Sequence, residues 1–370
     1  MGTTIYLDGP PVRKPAAVAN DRRLRVAFLT PGLQRGGAER WIISLCRWMD
    51  AQIVGVVSTM PKIDAGMRHE LARVDVQVFD HDADPDASRN VLAAADVVIC
   101  WGIGNLAPYL DGIEAPVVWV SHGACDWTRQ LAIHAVGRVN HWVSVSDKAR
   151  GPIPVAPDQV TVIHNGVDID RTVPIRGRRA MRKTLGLRDD QIAVGYMGRF
   201  SPEKRPTAVA EAVACLPAQY VAVMAGDGWN EERTREAAAQ IAPGRVIFAG
   251  HHPHVGDILS AFDVWINASP SEGMCLSLIE TWLAGVPCVS TPTGAIPELQ
   301  AVHGQLVYEV PIGADGEQIA EAILAASTDP SAVITDRARR LAWSQFTSPA
   351  MAARWIDYLQ LVSSRPHAQE

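Results

Sequence analysis

The chain has 370 residues, of which 48% are apolar and 20% are charged, and its net charge at pH 7 is −6. This length exceeds what one ordinary core supports and indicates two domains of usual size. The negative charge disfavours nucleic acid as a partner, because phosphate backbones select basic surfaces. No apolar run approaches the roughly 20 residues that span a bilayer, but a local basic patch would still allow peripheral contact with a membrane surface.

The first 23 residues mix charged and small apolar side chains and contain no apolar segment of signal-peptide length. We interpret 1–23 as a flexible leader. Six cysteines are scattered along the chain without a close CxxC pair, which is typical of reduced thiols and not of a disulfide framework. The sequence therefore predicts a cytoplasmic protein, and it leaves open an association with the inner face of the membrane.

Apolar runs alternate with amphipathic stretches along the first half of the chain. The run Leu24–Thr30 lacks clean alternation, as expected of a strand covered on both faces. The next segment, Ala38–Met49, repeats its apolar residues at the spacing of one helical face. Further strands are predicted at Ile53–Val57, Val76–Phe79, Val97–Trp101, Val117–Val120, Trp142–Val145 and Val160–Ile163. This order predicts a parallel sheet with helices on both sides.

The same rhythm restarts after a looser stretch, Val167–Asp190. Strands are predicted at Ile192–Met197, Tyr220–Ala225, Val246–Ala249, Val264–Ile266 and Cys288–Ser290, and helices at Arg205–Leu216, Glu231–Ile241, Val255–Ala261, Leu276–Ala284 and Gln318–Ala326. Two α/β domains, 24–166 and 167–345, joined near Asn165–Val173, are the simplest organisation. The remaining residues, 346–370, contain a predicted helix at Pro349–Val362 that would pack back on the first domain.

Two glycines, Gly36 and Gly37, stand between the first predicted strand and the first predicted helix. Backbone N–H groups at a helix start bind anions, and glycine lets an anion approach closely. This turn is therefore a candidate phosphate site, although a plain turn explains the glycines equally well. The segment 102–107 (GIGNLA) matches a dinucleotide-binding pattern, but it follows a fourth strand instead of a first, so we interpret it as a structural turn.

Two cations, Arg199 and Lys204, follow the first strand of the second half in the sequence GRFSPEKRP. Ligands of open α/β sheets collect at the carboxyl ends of strands. Arginine offers a fork of donors to a phosphate, and lysine offers a compact charge. The pair fits a diphosphate, while a solvated basic loop would also explain it.

Two carboxylates, Glu272 and Glu280, stand in the loop and the helix that follow a later strand. Charged acceptors hold sugar hydroxyls well, so carboxylates beside a diphosphate suit the recognition of ribose and hexose. The helix start between them adds backbone N–H groups that favour anions. The residues of that start are Gly273, Met274, Cys275 and Leu276.

Five motifs follow one another between residues 198 and 300: GRFSPEKRP, AGDGWN, SEGMCLSLIE, AGVPCVST and IPELQ. On these motifs the chain resembles the retaining glycosyltransferases of family 4 (glycosyl transferases group 1), which have the GT-B fold. The resemblance runs from about Leu24 to the C-terminal helix and is sharpest over Val194–Glu298. It implies two Rossmann-like domains whose parallel sheets face a central cleft, and a C-terminal helix that crosses back to the first domain.

The resemblance also implies roles for particular residues. Glu280 would contact the ribose of the nucleotide, and Glu272 would lie near the donor sugar. His122, in the sequence WVSHG, matches a histidine near the anomeric carbon. The residues that match the diphosphate site are Gly36, Gly37, Arg199 and Lys204.

Some positions depart from the family pattern or stay ambiguous. Cys275 stands where the family often has glycine, and Gly294–Ala295 stands where it often has two glycines. These changes predict a donor-sugar pocket of different shape. Trp127, five residues after His122, suits stacking on a sugar or an acceptor, and core packing explains it at least as well.

Two clusters imitate metal sites. The acidic run at 80–86 (DHDADPD) contains a D-x-D spacing, but a solvated acidic turn explains it better. The histidines of HHPH, His251, His252 and His254, are too close together for a tetrahedral set and lack a cysteine or carboxylate at ligand spacing. Enzymes of the GT-B fold generally need no metal, so the resemblance implies no metal and no bound cofactor.

The resemblance implies transfer of a hexosyl group from a UDP- or GDP-sugar to an acceptor hydroxyl with retention of configuration. The partners would be the nucleotide sugar and a glycan, a lipid-linked or a small-molecule acceptor, with no nucleic acid. Two alternatives stay open: an epimerase or hydrolase that uses the same cleft, and a sugar-nucleotide-binding protein without activity. The sequence does not specify the acceptor, the linkage or the oligomeric state.

Overall fold

The computed structural model describes residues 23–34, 36–252 and 254–363. Its strands form two parallel sheets, one of seven strands and one of six. The α/β class with two Rossmann-like domains is therefore confirmed. The predicted leader, 1–23, lies outside the described residues except for Arg23. In the part of the chain that is described, no helix is long and apolar enough to cross a membrane.

The first domain is built on strands β1 (Arg25–Thr30), β2 (Gln52–Ser58), β3 (Val78–Asp80), β4 (Val97–Trp101), β5 (Val117–Ser121), β6 (His141–Ser144) and β7 (Val160–Val162). Their order is β3-β2-β1-β4-β5-β6-β7. The helices are α1 (Gly37–Trp48), α2 (Ala65–Ala72), α3 (Pro85–Ala93), α4 (Ala107–Leu110), α5 (Asp126–Ala135) and α6 (Asp147–Arg150). The central strand β1 is buried from its second residue to its last, because helices cover both faces of the sheet.

The second domain begins with two short helices, α7 (Ile169–Thr172) and α8 (Arg178–Thr184). Its strands are β8 (Ile192–Met197), β9 (Tyr220–Ala225), β10 (Val246–Gly250), β11 (Val264–Asn267), β12 (Cys288–Ser290) and β13 (Tyr308–Glu309). They are arranged in the order β10-β9-β8-β11-β12-β13. The helices among and after them are α9 (Thr207–Cys215), α10 (Glu231–Ile241), α11 (Val255–Ala261), α12 (Leu276–Ala284), α13 (Ile296–His303), α14 (Gly316–Thr328) and α15 (Val333–Gln345).

Sequence and structure differ in the short or polar elements. The structure adds β13, α13 and α15, and it places α7 and α8 in a stretch that we expected to be loose. A two-residue strand has no periodicity to detect, and α15 is a polar helix that is held by packing against α12. The strand predicted at Val76–Phe79 starts only at Val78, because the Val76 N–H still bonds to the carbonyl of Leu71 at the end of α2.

The last helix, α16 (Ser348–Ser363), packs against α1 of the first domain. Trp355 of α16 is fully buried, and its ring centroid lies 5.4 Å from that of Trp41. The Met351 sulfur accepts a hydrogen bond from the Gly166 N–H at 3.1 Å. The predicted return of the C-terminal helix is therefore confirmed, and one apolar cluster continues from the first domain into the second.

Candidate active site

A cleft of about 1040 Å³ separates the carboxyl ends of the two sheets. Both domains contribute to its walls, as expected where the strand ends of two open α/β sheets face each other. Of the residues that the sequence proposes for the site, ten line this cleft. They are Gly36, Gly37, His122, Arg199, Lys204, Glu272, Gly273, Met274, Cys275 and Leu276.

Lys204 and Glu272 form an ion pair on the second-domain wall. The Lys204 Nζ lies 2.6 Å from both carboxylate oxygens of Glu272. Glu272 is buried, and 26% of the Lys204 side chain is exposed. Burial alone lowers the pKa of Lys204, but the Glu272 carboxylate outweighs burial and leaves that pKa raised. The ammonium therefore stays charged, and Arg199 lies on the same wall.

Glu39 is a charged residue of the cleft that the sequence analysis missed. It stands in the first turn of α1, and its carboxylate lies against Gly36. Burial raises the pKa of Glu39, while backbone hydrogen bonds at Glu39 and Gln34 and the nearby Arg199 charge oppose this rise. The carboxylate thus lies at the anion-favouring start of a helix. An acidic residue two positions after the glycine pair, in the sequence GGAER, was the available signal.

His122 is held neutral between two tryptophans. Its ring centroid lies 4.6 Å from that of Trp41 and 5.6 Å from that of Trp101, both edge-on. Burial lowers the pKa of His122 to about 3. The Nε2 atom is buried and has no hydrogen-bond partner. At neutral pH this cleft-lining imidazole carries no positive charge and keeps one polar ring atom without a partner.

The loop before α12 is pressed against the first domain. A Cβ on Gly273 would overlap the carbonyl of His122, so only glycine fits this approach. The hydroxyl of Ser146 donates a hydrogen bond of 2.6 Å to the Gly273 carbonyl. The Asn165 N–H donates to the Met274 sulfur at 3.1 Å. These contacts fix the loop relative to the first domain.

The starts of α1 and α12 face each other across the cleft. A Cβ on Gly37 would lie 3.6 Å from the Leu276 Cδ1. Cys275 is the residue that precedes α12. Gly294, which has a φ of 60°, lies against the same loop, because a Cβ on it would lie 3.0 Å from the Gly273 carbonyl oxygen. Both helix starts expose N–H groups and carry positive partial charge. Together with the two cations, they make the centre of the cleft suitable for a multiply charged anion.

Glu280 is the predicted site residue that does not line the cleft. It stands one turn beyond Leu276 on α12, which carries it about 6 Å along the helix axis. Its carboxylate is buried, and its Oε1 lies 3.9 Å from a nitrogen of Arg171. Burial raises the pKa of Glu280, whereas Arg171 and Arg40 oppose the rise. The structure thus places Glu272 in the cleft lining and Glu280 outside it.

Trp127 lies on the cleft wall, and 58% of it is exposed. Core packing, which the sequence left open, is therefore wrong for this residue. Gly102, at the start of the segment 102–107, has a φ of 68° and lies beside Trp127. The segment leads into α4, in agreement with a structural turn.

Several of the residues that imitate metal sites have other partners. Asp84 caps the start of α3, and Asp80 accepts a hydrogen bond from the Asp82 N–H. His254 bonds to the carbonyl of Val173 at 2.5 Å. Across the described ranges, no three histidine, cysteine or acidic side chains are grouped as a metal ion would require.

Residues 191–329 match the family model described as glycosyl transferases group 1. The chain is 31% identical over 211 residues to the lipopolysaccharide core biosynthesis glycosyltransferase LpsE of Rhizobium meliloti (strain 1021), a match that covers 56% of this chain and 59% of LpsE. It is 29% identical over 217 residues to the D-inositol 3-phosphate glycosyltransferase of Mycobacterium leprae (strain Br4923), covering 55% of this chain and 50% of that protein. The chain thus spans between half and three fifths of these curated relatives.

Solved structures resemble the chain over about nine tenths of its length. The structure of Anabaena Alr3699/HepE in complex with UDP and glucose has a TM-score of 0.79 at 19% identity and covers 91% of this chain and 100% of that one. WaaG, a glycosyltransferase involved in lipopolysaccharide biosynthesis, has a TM-score of 0.68 at 15% identity, with 90% and 99% covered. At these identities the likeness establishes the fold, and the expected GT-B fold is confirmed.

Proposed function

We propose that this protein is a glycosyltransferase that moves a hexosyl group from a nucleoside diphosphate sugar to an acceptor hydroxyl with retention of configuration. The observation that carries the proposal is the convergence of Arg199, the Lys204–Glu272 pair and two helix starts in one interdomain cleft. The match of 191–329 to glycosyl transferases group 1 supports the same reaction class.

The diphosphate would lie between Arg199 and Lys204 on one side and the Gly36–Gly37 turn on the other. Negative charge builds on this leaving group as the glycosidic bond breaks. Cations and N–H groups that are already in position stabilise that charge without reorganising. Glu39 lies at the same helix start. Binding of the diphosphate therefore requires that the Glu39 carboxylate move away or be protonated.

The donor sugar would lie beside Glu272 and His122. The Glu272 carboxylate orients a hydroxyl of the sugar and at the same time fixes the Lys204 ammonium. Neutral His122 offers its unpartnered Nε2 to a hydroxyl near the anomeric carbon. The leaving phosphate itself would accept the proton of the acceptor hydroxyl. The retaining outcome rests on the resemblance to family 4.

We favour UDP as the nucleotide, because Alr3699/HepE, of similar fold, was solved with UDP and glucose and with UDP-glucose. The LpsE relative supports a glycan or lipid-linked acceptor. We propose a cytoplasmic reaction, at the inner face of the membrane when the acceptor is lipid-linked, since all six cysteines are unpaired. No metal would be needed, so chelator should leave the rate unchanged, whereas loss of activity that Mn²⁺ restores would contradict this part.

The decisive assay incubates the purified protein with UDP-, GDP- and ADP-sugars and an acceptor panel and follows nucleotide release, with NMR of the product to read the anomeric configuration. Lys204→Ala should slow transfer about a hundredfold or more, while Lys183→Ala, an exposed lysine outside the cleft, serves as the matched control. Near-normal turnover of Lys204→Ala would refute the diphosphate role. Equal consumption of the donor with and without acceptor would instead indicate a hydrolase or epimerase.

Glu280 has a separate test, because its ribose role rests on the resemblance alone. If it binds ribose, Glu280→Ala should weaken UDP binding about tenfold in calorimetry. Unchanged affinity would leave Glu280 as a structural partner of Arg171. Turnover by wild type combined with no UDP binding would point to another nucleotide.

A further inference from the structure

The first-domain wall of the cleft carries an exposed tryptophan that the proposed donor site does not use. Trp127 is 58% exposed, although an indole buries 150–250 Å² when it is packed. It stands in the first turn of α5 and lines the cleft beside Gly102 and Leu131. A large aromatic face that stays exposed in a cleft marks a binding surface for a ligand with an apolar face.

This aromatic wall leads from the rim toward His122. Gly102 follows Trp101 at the end of β4, and a Cβ built on it would lie 4.0 Å from the Trp127 ring. Trp101 lines the cleft and meets the His122 ring edge-on at 5.6 Å. The Trp101 Nε1 is buried without a hydrogen-bond partner, and the His122 Nε2 is already assigned to the donor sugar. A ligand with an apolar face and hydroxyl groups would suit the open Trp127 ring and the unpartnered Trp101 indole.

The charges on this wall do not favour a phosphorylated ligand. Its described charged residues are Lys62, Asp64 and Glu39, whose sum is not positive, and His122 is neutral. Phosphate recognition uses clusters of arginine or helix starts. The arginine that lines the cleft, Arg199, lies on the opposite wall, and the start of α5 on this wall already carries the acidic Asp126 in its first turn. The wall therefore suits an uncharged, hydroxyl-rich ring.

Trp127 is not part of an apolar stripe that faces away from the cleft. Two other apolar residues, Ile133 on α5 and Val136 just after it, are also exposed, at 49% and 45%. Ile133 follows Trp127 by six residues, which places the two side chains about 120° apart around the helix. Ile133 does not line the cleft. A membrane or a protein partner that covers Ile133 and Val136 would thus leave Trp127 to the cleft.

We propose that Trp127 and Trp101 form an acceptor subsite for an uncharged saccharide, whose C–H face stacks on Trp127 while its hydroxyls point toward His122. The role of this saccharide as an acceptor rests on the proposed function, whereas saccharide binding at Trp127 does not depend on it. An uncharged acceptor would distinguish this protein from an enzyme whose acceptor carries a phosphate.

Saturation-transfer NMR tests the saccharide site without needing turnover. The probes are the methyl glycosides of glucose, galactose and mannose, with D-inositol 3-phosphate as the charged comparison, all with UDP present. Wild type should transfer saturation to the ring C–H protons of at least one methyl glycoside, and Trp127→Ala should weaken its binding about tenfold. Trp127→Phe should retain most of the binding, and Ile133→Ala on the same helix should bind like wild type.

Any of the following results would overturn the proposal: no transfer to any methyl glycoside, stronger binding of D-inositol 3-phosphate than of every methyl glycoside, or unchanged binding in Trp127→Ala. Loss of vesicle binding by Trp127→Ala with intact glycoside binding would assign the residue to a membrane surface and would also overturn it. Where transfer activity is measurable, Trp127→Ala should raise the KM for a glycoside acceptor about tenfold and leave the donor KM within about twofold. Glycoside binding without any nucleotide turnover would reject the proposed function and leave the saccharide site standing.

Discussion

Removal of the Glu272 carboxylate is expected to destabilise the second domain as well as to impair sugar transfer. Glu272→Ala leaves the Lys204 ammonium without the two oxygens that lie 2.6 Å from it. At that distance two unit charges attract by about 6 kcal/mol at an effective dielectric constant of about 20. Most of this attraction offsets the desolvation of the two groups, so it is not the net contribution of the pair.

The cost of breaking the pair comes from the charge that is left behind. One-sided removal of a fully buried pair costs about 3–5 kcal/mol. Because 26% of the Lys204 side chain is exposed, water solvates part of the remaining ammonium, and we expect about 2–3 kcal/mol. For a domain of this size each kcal/mol lowers the Tm by about 2–4 °C, so Tm should fall by roughly 4–12 °C.

Thermal unfolding followed by circular dichroism measures this effect on Glu272→Ala, Lys204→Met and the double variant. The double variant should be less destabilised than the sum of the single variants by about 1–3 kcal/mol, because neither charge is then left unpaired. The coupling should persist at 0.5 M salt, since a largely buried pair is weakly screened. Additive single effects, or a Tm change below about 2 °C for Glu272→Ala, would refute the reasoning.

Three further predictions follow from the structure. The pKa of His122 is about 3, so below pH 6.5 the imidazole is protonated in the unfolded chain and neutral in the folded protein. The free energy of unfolding should therefore decrease as the pH is lowered, and His122 should account for about 2 kcal/mol of this decrease between pH 8 and pH 5. His122→Phe should remove that part of the pH dependence. Gly273→Ala should lower transfer at least tenfold because its Cβ overlaps the His122 carbonyl, whereas Gly137→Ala, with nothing within 4 Å, should be silent. Trp355→Ala should cost about 3–5 kcal/mol, because this fully buried ring packs on Trp41.

Each of these predictions has a contradicting outcome. An NMR titration of the His122 ring with a midpoint between pH 6 and 7 would show that the imidazole is hydrated and charged in the folded protein. Wild-type activity in Gly273→Ala would mean that the two domains separate freely at this contact. A loss below about 1 kcal/mol in Trp355→Ala, measured by chemical denaturation, would mean that α16 contributes little to the junction of the domains.

The sequence predicted several regular elements with their correct bounds. Strands β8, β9 and β12 and helices α10, α11 and α12 have the bounds that were predicted, because apolar runs and 3.6-residue periodicity are local properties of the chain. The two-residue strand β13 carries no such signal. Helix α15 repeats its buried residues at helical spacing, but Leu341 is the one large apolar side chain among them, so the pattern was passed over.

The sequence by itself indicated ten of the residues that line the cleft, although it missed Glu39. Gly37, Arg199 and Glu272 follow strands of parallel sheets, and parallel strands deliver the residues at their carboxyl ends to one edge. Tertiary structure alone decided what these residues do there. The pairing of Glu272 with Lys204, the exclusion of Glu280 from the lining and the exposure of Trp127 all depend on how loops and helix starts from two domains approach each other. That approach is set by close contacts such as Gly273 against His122, which join residues about 150 positions apart and leave no periodic trace in the sequence.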